Sequence, residues 1–221
     1  MAGAESNIPL VKICGLTRIQ DVAACETLGV DFLGFNFWPG SKRYLAPEKA
    51  PALFAAMGQA VPVGVFVNPS RAEIERVLRH VDLKYLQLHG DEAWDFIDDL
   101  PLPVIKAIPA DRLADWGGLA PGWPGKNDRV AHWLIDTPAG KEYGGTGRSF
   151  DWSLVAKAGL PRPVFLAGGL GPGNLAEAIA LARPYAVDLN SKVETAPGVK
   201  DPDRIRECLG IIAGMKSQPS G

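Results

Sequence analysis

The residues able to do chemistry in this chain stand at the ends of short apolar runs. Cys14 closes the run from Leu10, Gln87 and His89 come at and just after the end of Lys84 to Leu88, and Asp136 closes Trp133 to Asp136. Asp188 and Asn190 fall at the end of Tyr185 to Leu189. A thiol, carboxyl groups and an imidazole brought to one place are the parts of a general acid–base site. A second set suits an anion. Gly168-Gly169-Leu170-Gly171 and Asn190-Ser191-Lys192 each follow an apolar run, and glycine lets backbone N–H groups approach a phosphate closely. Arg43, in Ser41-Lys42-Arg43-Tyr44, carries a planar fork for a carboxylate or phosphate. Gly144-Gly145-Thr146-Gly147-Arg148 has the composition of a loop that folds over a ligand. Plainer readings stand beside these: glycines as tight turns, Lys42 and Arg43 as a solvated loop, and each cysteine as a small buried hydrophobe.

The apolar runs alternate with amphipathic stretches along the chain. Strands are expected at Leu10–Cys14, Asp31–Phe37, Pro62–Val67, Lys84–Leu88, Val104–Ile108, Trp133–Asp136, Val164–Ala167 and Tyr185–Leu189. Helices are expected at Arg18–Leu28, Pro47–Met57, Ser70–Arg79, Asp91–Asp99, Asp111–Trp116, Asp151–Ala158, Pro172–Ala182 and Asp201–Met215. Ser70 with Glu73 three residues on is a capping-box signature. Most strands are apolar on both faces, as parallel strands covered by helices should be. About eight strand–helix units make the fold class α/β, a single (β/α)8 TIM barrel. An open doubly wound sheet competes, but Gly15 does not make the glycine-rich dinucleotide turn expected of it. One domain spans 1–221, with its core at about 9–215. The Gly- and Pro-rich stretch Trp116 to Asn127 reads as an irregular loop, and Lys216 to Gly221 as a frayed tail.

In such a barrel the active site sits at the C-terminal ends of the strands. That rule brings Cys14, Asn36, Gln87, His89, Asp136, Asp188 and Asn190 to one mouth, with the loops after strands seven and eight as the phosphate site. His132 precedes strand six and belongs to the stability face. His80 ends a helix, where a cation suits the helix dipole. The formal net charge of −2 gives no footprint for nucleic acid or an anionic membrane. No stretch approaches the ~20 apolar residues that span a bilayer, and Met1 to Pro9 shows no secretory signal. Three cysteines, Cys14, Cys25 and Cys208, without metal-ligand spacing point to a reducing cytoplasm rather than a disulfide scaffold. With three histidines, two of them away from the mouth, no metal-ligand cluster is expected.

Val11-Lys12-Ile13-Cys14-Gly15-Leu16-Thr17 resembles the opening motif of the phosphoribosylanthranilate isomerase family. So do Gly34-Phe35-Asn36-Phe37 with Ser41-Lys42-Arg43-Tyr44, Val63-Gly64-Val65-Phe66-Val67-Asn68, and Leu86-Gln87-Leu88-His89-Gly90. The series continues with Asp136-Thr137, Gly144-Gly145-Thr146-Gly147 with Phe150-Asp151-Trp152, and Ala167-Gly168-Gly169-Leu170. It closes with Val187-Asp188, Val193-Glu194 and Pro197-Gly198. The matches run in family order over nearly the whole chain, and together they are highly specific.

The resemblance implies a cytoplasmic enzyme of tryptophan biosynthesis, acting on a phosphosugar with neither metal nor cofactor, as a monomer or homodimer. Its reaction is an Amadori rearrangement, with Asp136 as general acid and Cys14 as general base. Arg43 would hold the anthranilate carboxylate. His89 and Asp188 would position and tune charge. Gly147, Gly168, Gly169, Asn190 and Ser191 would contact the substrate, the phosphate resting on Gly169 and the strand-eight loop. A modest depression of the Cys14 pKa would supply a useful thiolate fraction. Lys12 lies two residues before Cys14 on the same strand face. It has two readings, a cation that lowers the thiol pKa or a structural ion pair, for example with Asp188. Many family members carry glycine where this chain has Lys192. That lysine would add charge at the phosphate, obstruct a left-handed backbone, or simply point to solvent. Histidine-pathway isomerases use two aspartates, and Cys14 discriminates against them. A non-catalytic phosphate-binding barrel is the reading from a different class.

Overall fold

The computed structural model describes residues 8–113, 128–137, 151–160 and 163–215. The doubly apolar runs pair in parallel and close into a barrel in chain order. Its strands are β1 (Leu10–Ile13), β2 (Phe32–Asn36), β3 (Val61–Phe66), β4 (Tyr85–Leu88), β5 (Val104–Pro109), β6 (Val130–Asp136), β7 (Val164–Leu166) and β8 (Ala186–Leu189). The helices are α1 (Ile19–Thr27), α2 (Ala50–Phe54), α3 (Arg71–Leu78), α4 (Trp94–Asp98), α5 (Ser153–Lys157), α6 (Leu175–Ala182) and α7 (Pro202–Gly214). β1 pairs with β8, Lys12 opposite Asp188, and this register closes the barrel.

Period-two alternation sorts each strand into two cores. Val11, Ile13, Leu86, Leu88, Trp133, Ile135, Val187 and Leu189 face the helices in the larger cluster. Phe32, Val63, Ile105, Leu134, Phe165 and Ala186 fill the barrel interior. Rings close its lower end: His132 stacks on Tyr185 at 5.1 Å between centroids and meets Phe165 edge-on at 5.1 Å. The next layers up are polar, which is where a site is to be sought.

Two caps anchor helices as their sequences require. Glu73 N–H donates to Ser70 Oγ at 3.3 Å while Ser70 N–H donates to Glu73 Oε2 at 2.7 Å, the expected capping box. Asp201 Oδ1 accepts from the N–H groups of Asp203 and Arg204 ahead of α7, with Pro202 in its first turn.

Several elements differ from expectation. β6 begins at Val130, so His132 lies within the strand and points into the barrel rather than preceding it. The stretch Pro47–Met57 is a 3-10 turn at Pro47–Lys49 leading into the short α2. The helix expected at Asp91–Asp99 starts only at Trp94, because Glu92 is spent on the loop. Its carboxylate accepts from the N–H groups of Asn68 and Gly90 and from Lys106 Nζ. Residues 110–113 form a 3-10 turn where a helix was expected from Asp111, and the rest of that stretch lies outside the described residues. A hairpin, β9 (Glu194–Ala196) with β10 (Val199–Lys200), fills what reads in sequence as a plain loop after β8. His80 sits beyond the end of α3, 3.9 Å from Glu48, away from the barrel mouth as expected.

Burial holds the His132 imidazole pKa below its ordinary value. The unfolded chain therefore binds a proton that the folded chain refuses. Stability is full above a pH of about 6.5, the free-imidazole value, and falls as pH drops toward the folded-state pKa. One such group gives a slope of at most about 1.4 kcal/mol per pH unit. Urea denaturation across this range should show His132→Phe losing stability less steeply than the parent. Equal slopes would mean that other groups set the acid limb.

Candidate active site

The inward positions at the strand ends line a cavity of about 490 Å³, a volume suited to a small ligand. Cys14, Asn36, Gln87, His89, Asp136, Asp188 and Asn190 all reach it, as do Arg43, Gly168, Gly169 and Ser191. The structure thus brings the described strand-end residues expected at the mouth together with Arg43, Gly168, Gly169 and Ser191, whereas Gly171 and Lys192 do not line the cavity. Gly147, with the rest of residues 138–150, lies outside the described residues.

A buried lysine organises the floor. Lys12 is fully enclosed, and its Nζ donates to Asp188 Oδ2 at 2.9 Å. Gly34 makes room for it, since a Cβ there would stand 2.9 Å from Cys14 Sγ and 3.0 Å from Lys12 Nζ. The ion-pair reading of Lys12 is the one the contacts carry: it pairs with Asp188, while its charge also lies near enough to the Cys14 thiol to pull on it. Burial opposes its charge, but Asp188 and Cys14 outweigh burial and raise its pKa. Burial pushes Asp188 up, with Lys12 resisting.

The expected depression of the Cys14 pKa is not what the geometry supports. Burial pushes the thiol up, and although Lys12 and Lys200 pull it down, burial wins. The other two cysteines are buried among apolar neighbours and shifted to about 12 for Cys25 and about 11 for Cys208, in both cases chiefly by burial. Of the three, Cys14 alone has the Lys12 charge pulling against its burial.

Across the mouth, Asp136 ends β6. Its Oδ1 accepts from the Thr137 N–H at 2.7 Å, and its Oδ2 lies 3.3 Å from His89 Nε2. Gly168, at φ 93°, has no room for a side chain: a Cβ would meet Thr137 Oγ1 at 2.1 Å. Gly169 follows at φ 64°. Asn174 fixes this loop before α6, accepting from Gly171 N–H at 2.9 Å and donating to the Gly169 carbonyl at 3.0 Å. Asn190 and Ser191 face it from the strand-eight side. Lys192 is exposed and, unlike Asn68 and Arg183, has no positive φ. The lysine therefore does not strain this loop.

Arg43 is not the free cation that its sequence suggests. Its Nε and Nη2 are engaged by Glu194, at 2.9 and 2.6 Å. Glu194 also accepts from Lys200 Nζ at 2.7 Å, and Lys200 reaches Asn190 Oδ1 at 3.0 Å. Arg43 and Lys200 hold the Glu194 pKa low against the burial that would raise it. Sequence reasoning missed Lys200 altogether and quoted Glu194 only within a motif. The turn signal Pro197-Gly198, with Gly198 at φ 80°, was the available clue to the hairpin carrying both. Among the described residues no group of His, Cys, Asp and Glu is arranged to hold a metal ion, and no helix is long and apolar enough to cross a membrane.

Fold and site together define a β/α-barrel with a thiol and a carboxyl group lining one cavity at the C-terminal ends of its strands, beside a glycine loop after β7. The family model for N-(5′-phosphoribosyl)anthranilate isomerase matches residues 11–210. An enzyme of that name from Pseudomonas fluorescens (strain Pf-5) is 43% identical over 202 residues, covering 91% of this chain and 94% of that protein. A solved Thermotoga maritima structure, of monomers of the dimeric isomerase, superposes with a TM-score of 0.77 at 32% identity, covering 93% of this chain and 99% of that one. A solved isomerase in complex with reduced 1-(o-carboxyphenylamino)-1-deoxyribulose 5-phosphate gives a TM-score of 0.77 at 33% identity with the same coverage. The chain belongs to the N-(5′-phosphoribosyl)anthranilate isomerase family.

Replacing Lys12 by Met should act on both of its partners. Asp188 loses its counter-ion in the interior, a change that costs about 3–5 kcal/mol. The Cys14 pKa should rise further, because one of the pulls that lower it is gone. Alkylation of Cys14 followed against pH reads the second effect, and an unchanged thiol titration would remove Lys12 from any role at the thiol.

Proposed function

We propose that the whole chain, as one barrel domain, catalyses the Amadori rearrangement of N-(5-phosphoribosyl)anthranilate to 1-(2-carboxyphenylamino)-1-deoxyribulose 5-phosphate. Asp136 is the general acid and Cys14 the general base, and no cofactor takes part. The observation that supports this most is the placement of the two groups. Cys14, just after β1, and Asp136, at the end of β6, face one cavity from non-neighbouring strands of the barrel, leaving the substrate to lie between them.

The steps follow from that placement. Asp136 gives its proton to the ribose ring oxygen, the C1′–O bond breaks, and its electrons stay on oxygen as the anilino nitrogen forms a C1′ Schiff base. The Cys14 thiolate then takes the proton from C2′, and the C2′–H electrons form the C1′–C2′ double bond of an enolamine. Protonation at C1′ with loss of the C2′ hydroxyl proton gives the ketone. Proton exchange with solvent returns Asp136 and Cys14 to their starting states. Because burial raises the Cys14 pKa, the thiolate is a strong base present as a small fraction, and Lys12 limits the cost of forming it.

The phosphate rests on Gly168, Gly169, Asn190 and Ser191, near the start of α6, where backbone N–H groups favour an anion. Gly147 contacts the substrate. Glu194 occupies Nε and Nη2 of Arg43, so the Nη1 donors hold the anthranilate carboxylate. Asp188 and His89 position the substrate and tune the charge around it. The chain works in the cytoplasm as a monomer or homodimer, a range supported by the dimeric Thermotoga maritima relative.

The test generates the substrate in situ and follows loss of its anthranilate fluorescence. Cys14→Ala and Asp136→Asn should each lower kcat by roughly 10²–10⁴-fold while circular dichroism stays that of the parent. A parent protein that binds the reduced product analogue yet turns nothing over would instead be a phosphate-binding barrel, and both roles would fall.

A further inference from the structure

One polar side chain in the barrel interior has no part in these steps. Gln87, on β4, is 1% exposed. Its Nε2 lies 3.1 Å from His89 Nδ1, and its Oε1 has no hydrogen-bond partner among the described residues. His89 Nε2 lies 3.3 Å from Asp136 Oδ2, while Thr137 N–H serves Oδ1 at 2.7 Å.

With the Gln87 amide turned so that its Nε2 faces the ring, the direction of each bond follows. An amide NH₂ only donates, so His89 Nδ1 accepts. A neutral imidazole that accepts at Nδ1 carries its proton on Nε2. That Nε2–H points at the acid. We propose that Gln87 is a positioning residue: it sets the Nε2–H tautomer of His89 and so supplies Asp136 with a second hydrogen-bond donor. The proposal deepens the function assigned above and rests on Asp136 being the acid.

As Asp136 surrenders its proton, negative charge spreads over both carboxylate oxygens. Donors already in place where charge develops lower the barrier most. Thr137 N–H meets one oxygen and His89 Nε2–H the other. In the opposite tautomer the Nε2 lone pair faces the growing charge and raises the barrier. A buried amide oxygen without a partner is unfavourable. A residue chosen for stability alone would be apolar here, as Ile105 opposite it on β5 is. The amide accepts that cost and presents its donor to the ring.

The decisive readings are the ¹⁵N shifts of the His89 ring and the kcat and KM of variants. The parent protein should carry the ring proton on Nε2. Gln87→Glu places an acceptor of the same shape at Nδ1 and should bring a proton onto Nδ1. Gln87→Met removes the donor and should give mixed tautomers. Its kcat should fall by about ten- to a hundred-fold, the worth of a lost hydrogen bond to a charged group, with KM little changed.

A parent ring protonated on Nδ1 would overturn the proposal even if neither variant folds, and would leave the acid assignment standing. Mixed tautomers in Gln87→Met at parental kcat would also overturn it, as would a fall in kcat with the tautomer unchanged. If Asp136→Asn kept full activity, the acid assignment would fail and this role with it, whatever the tautomer.

Discussion

The structure depends on a lysine buried inside the barrel. An ammonium ion removed from water costs several kcal/mol unless it is paired, and the interior pairs Lys12 with Asp188 at 2.9 Å. Much of the surrounding sequence follows from that demand. β8 must present Asp188 in register with Lys12. β2 must present Gly34, because any side chain there would displace the ammonium or the thiol. The consequence for chemistry is a buried thiol with a cation close beside it, both packed against Gly34.

A second charged cluster governs the rim. Arg43, Glu194, Lys200 and Asn190 form a chain of contacts from the loop after β2, through the hairpin, to the strand-eight loop. The hairpin is held to the body by Thr17 Oγ1, which donates to the Gly198 carbonyl at 2.7 Å, and by the Lys200 N–H, which donates to Asp21 Oδ2 at 3.1 Å. Partly buried and bidentate, the Arg43–Glu194 pair orients the guanidinium more firmly than an exposed ion pair would. The two ends expected to hold the substrate, carboxylate and phosphate, thus share one scaffold.

Much of this was legible in the sequence. Runs such as Val63 to Phe66, apolar on both faces, can satisfy themselves only as parallel strands under helices. Polar residues that end such runs, Cys14, His89 and Asp136, then fall at one mouth. Ser70 and Glu73 announced their helix by chemistry local to four residues. What stayed hidden was of two kinds. Strands of three and two residues, as in the hairpin, have no periodicity to read. Long-range pairings such as Arg43 with Glu194 leave no trace in a single chain, so Arg43 looked free. His132 was misplaced because Ala131 and His132 interrupt the apolar run, although the ring packing of the barrel floor accounts for it.

The proposed chemistry turns on the Cys14 thiolate, formed beside Lys12, acting as the base. The most direct measurement is the ultraviolet titration of that thiolate in a Cys25→Ala, Cys208→Ala background, set beside the pH profile of kcat/KM in the same protein. The expected result is one shared midpoint, displaced upward from an ordinary thiol, with activity rising as the thiolate forms. A kcat/KM that levels off well below the pH at which the thiolate appears would contradict the account, because the base would then be another group.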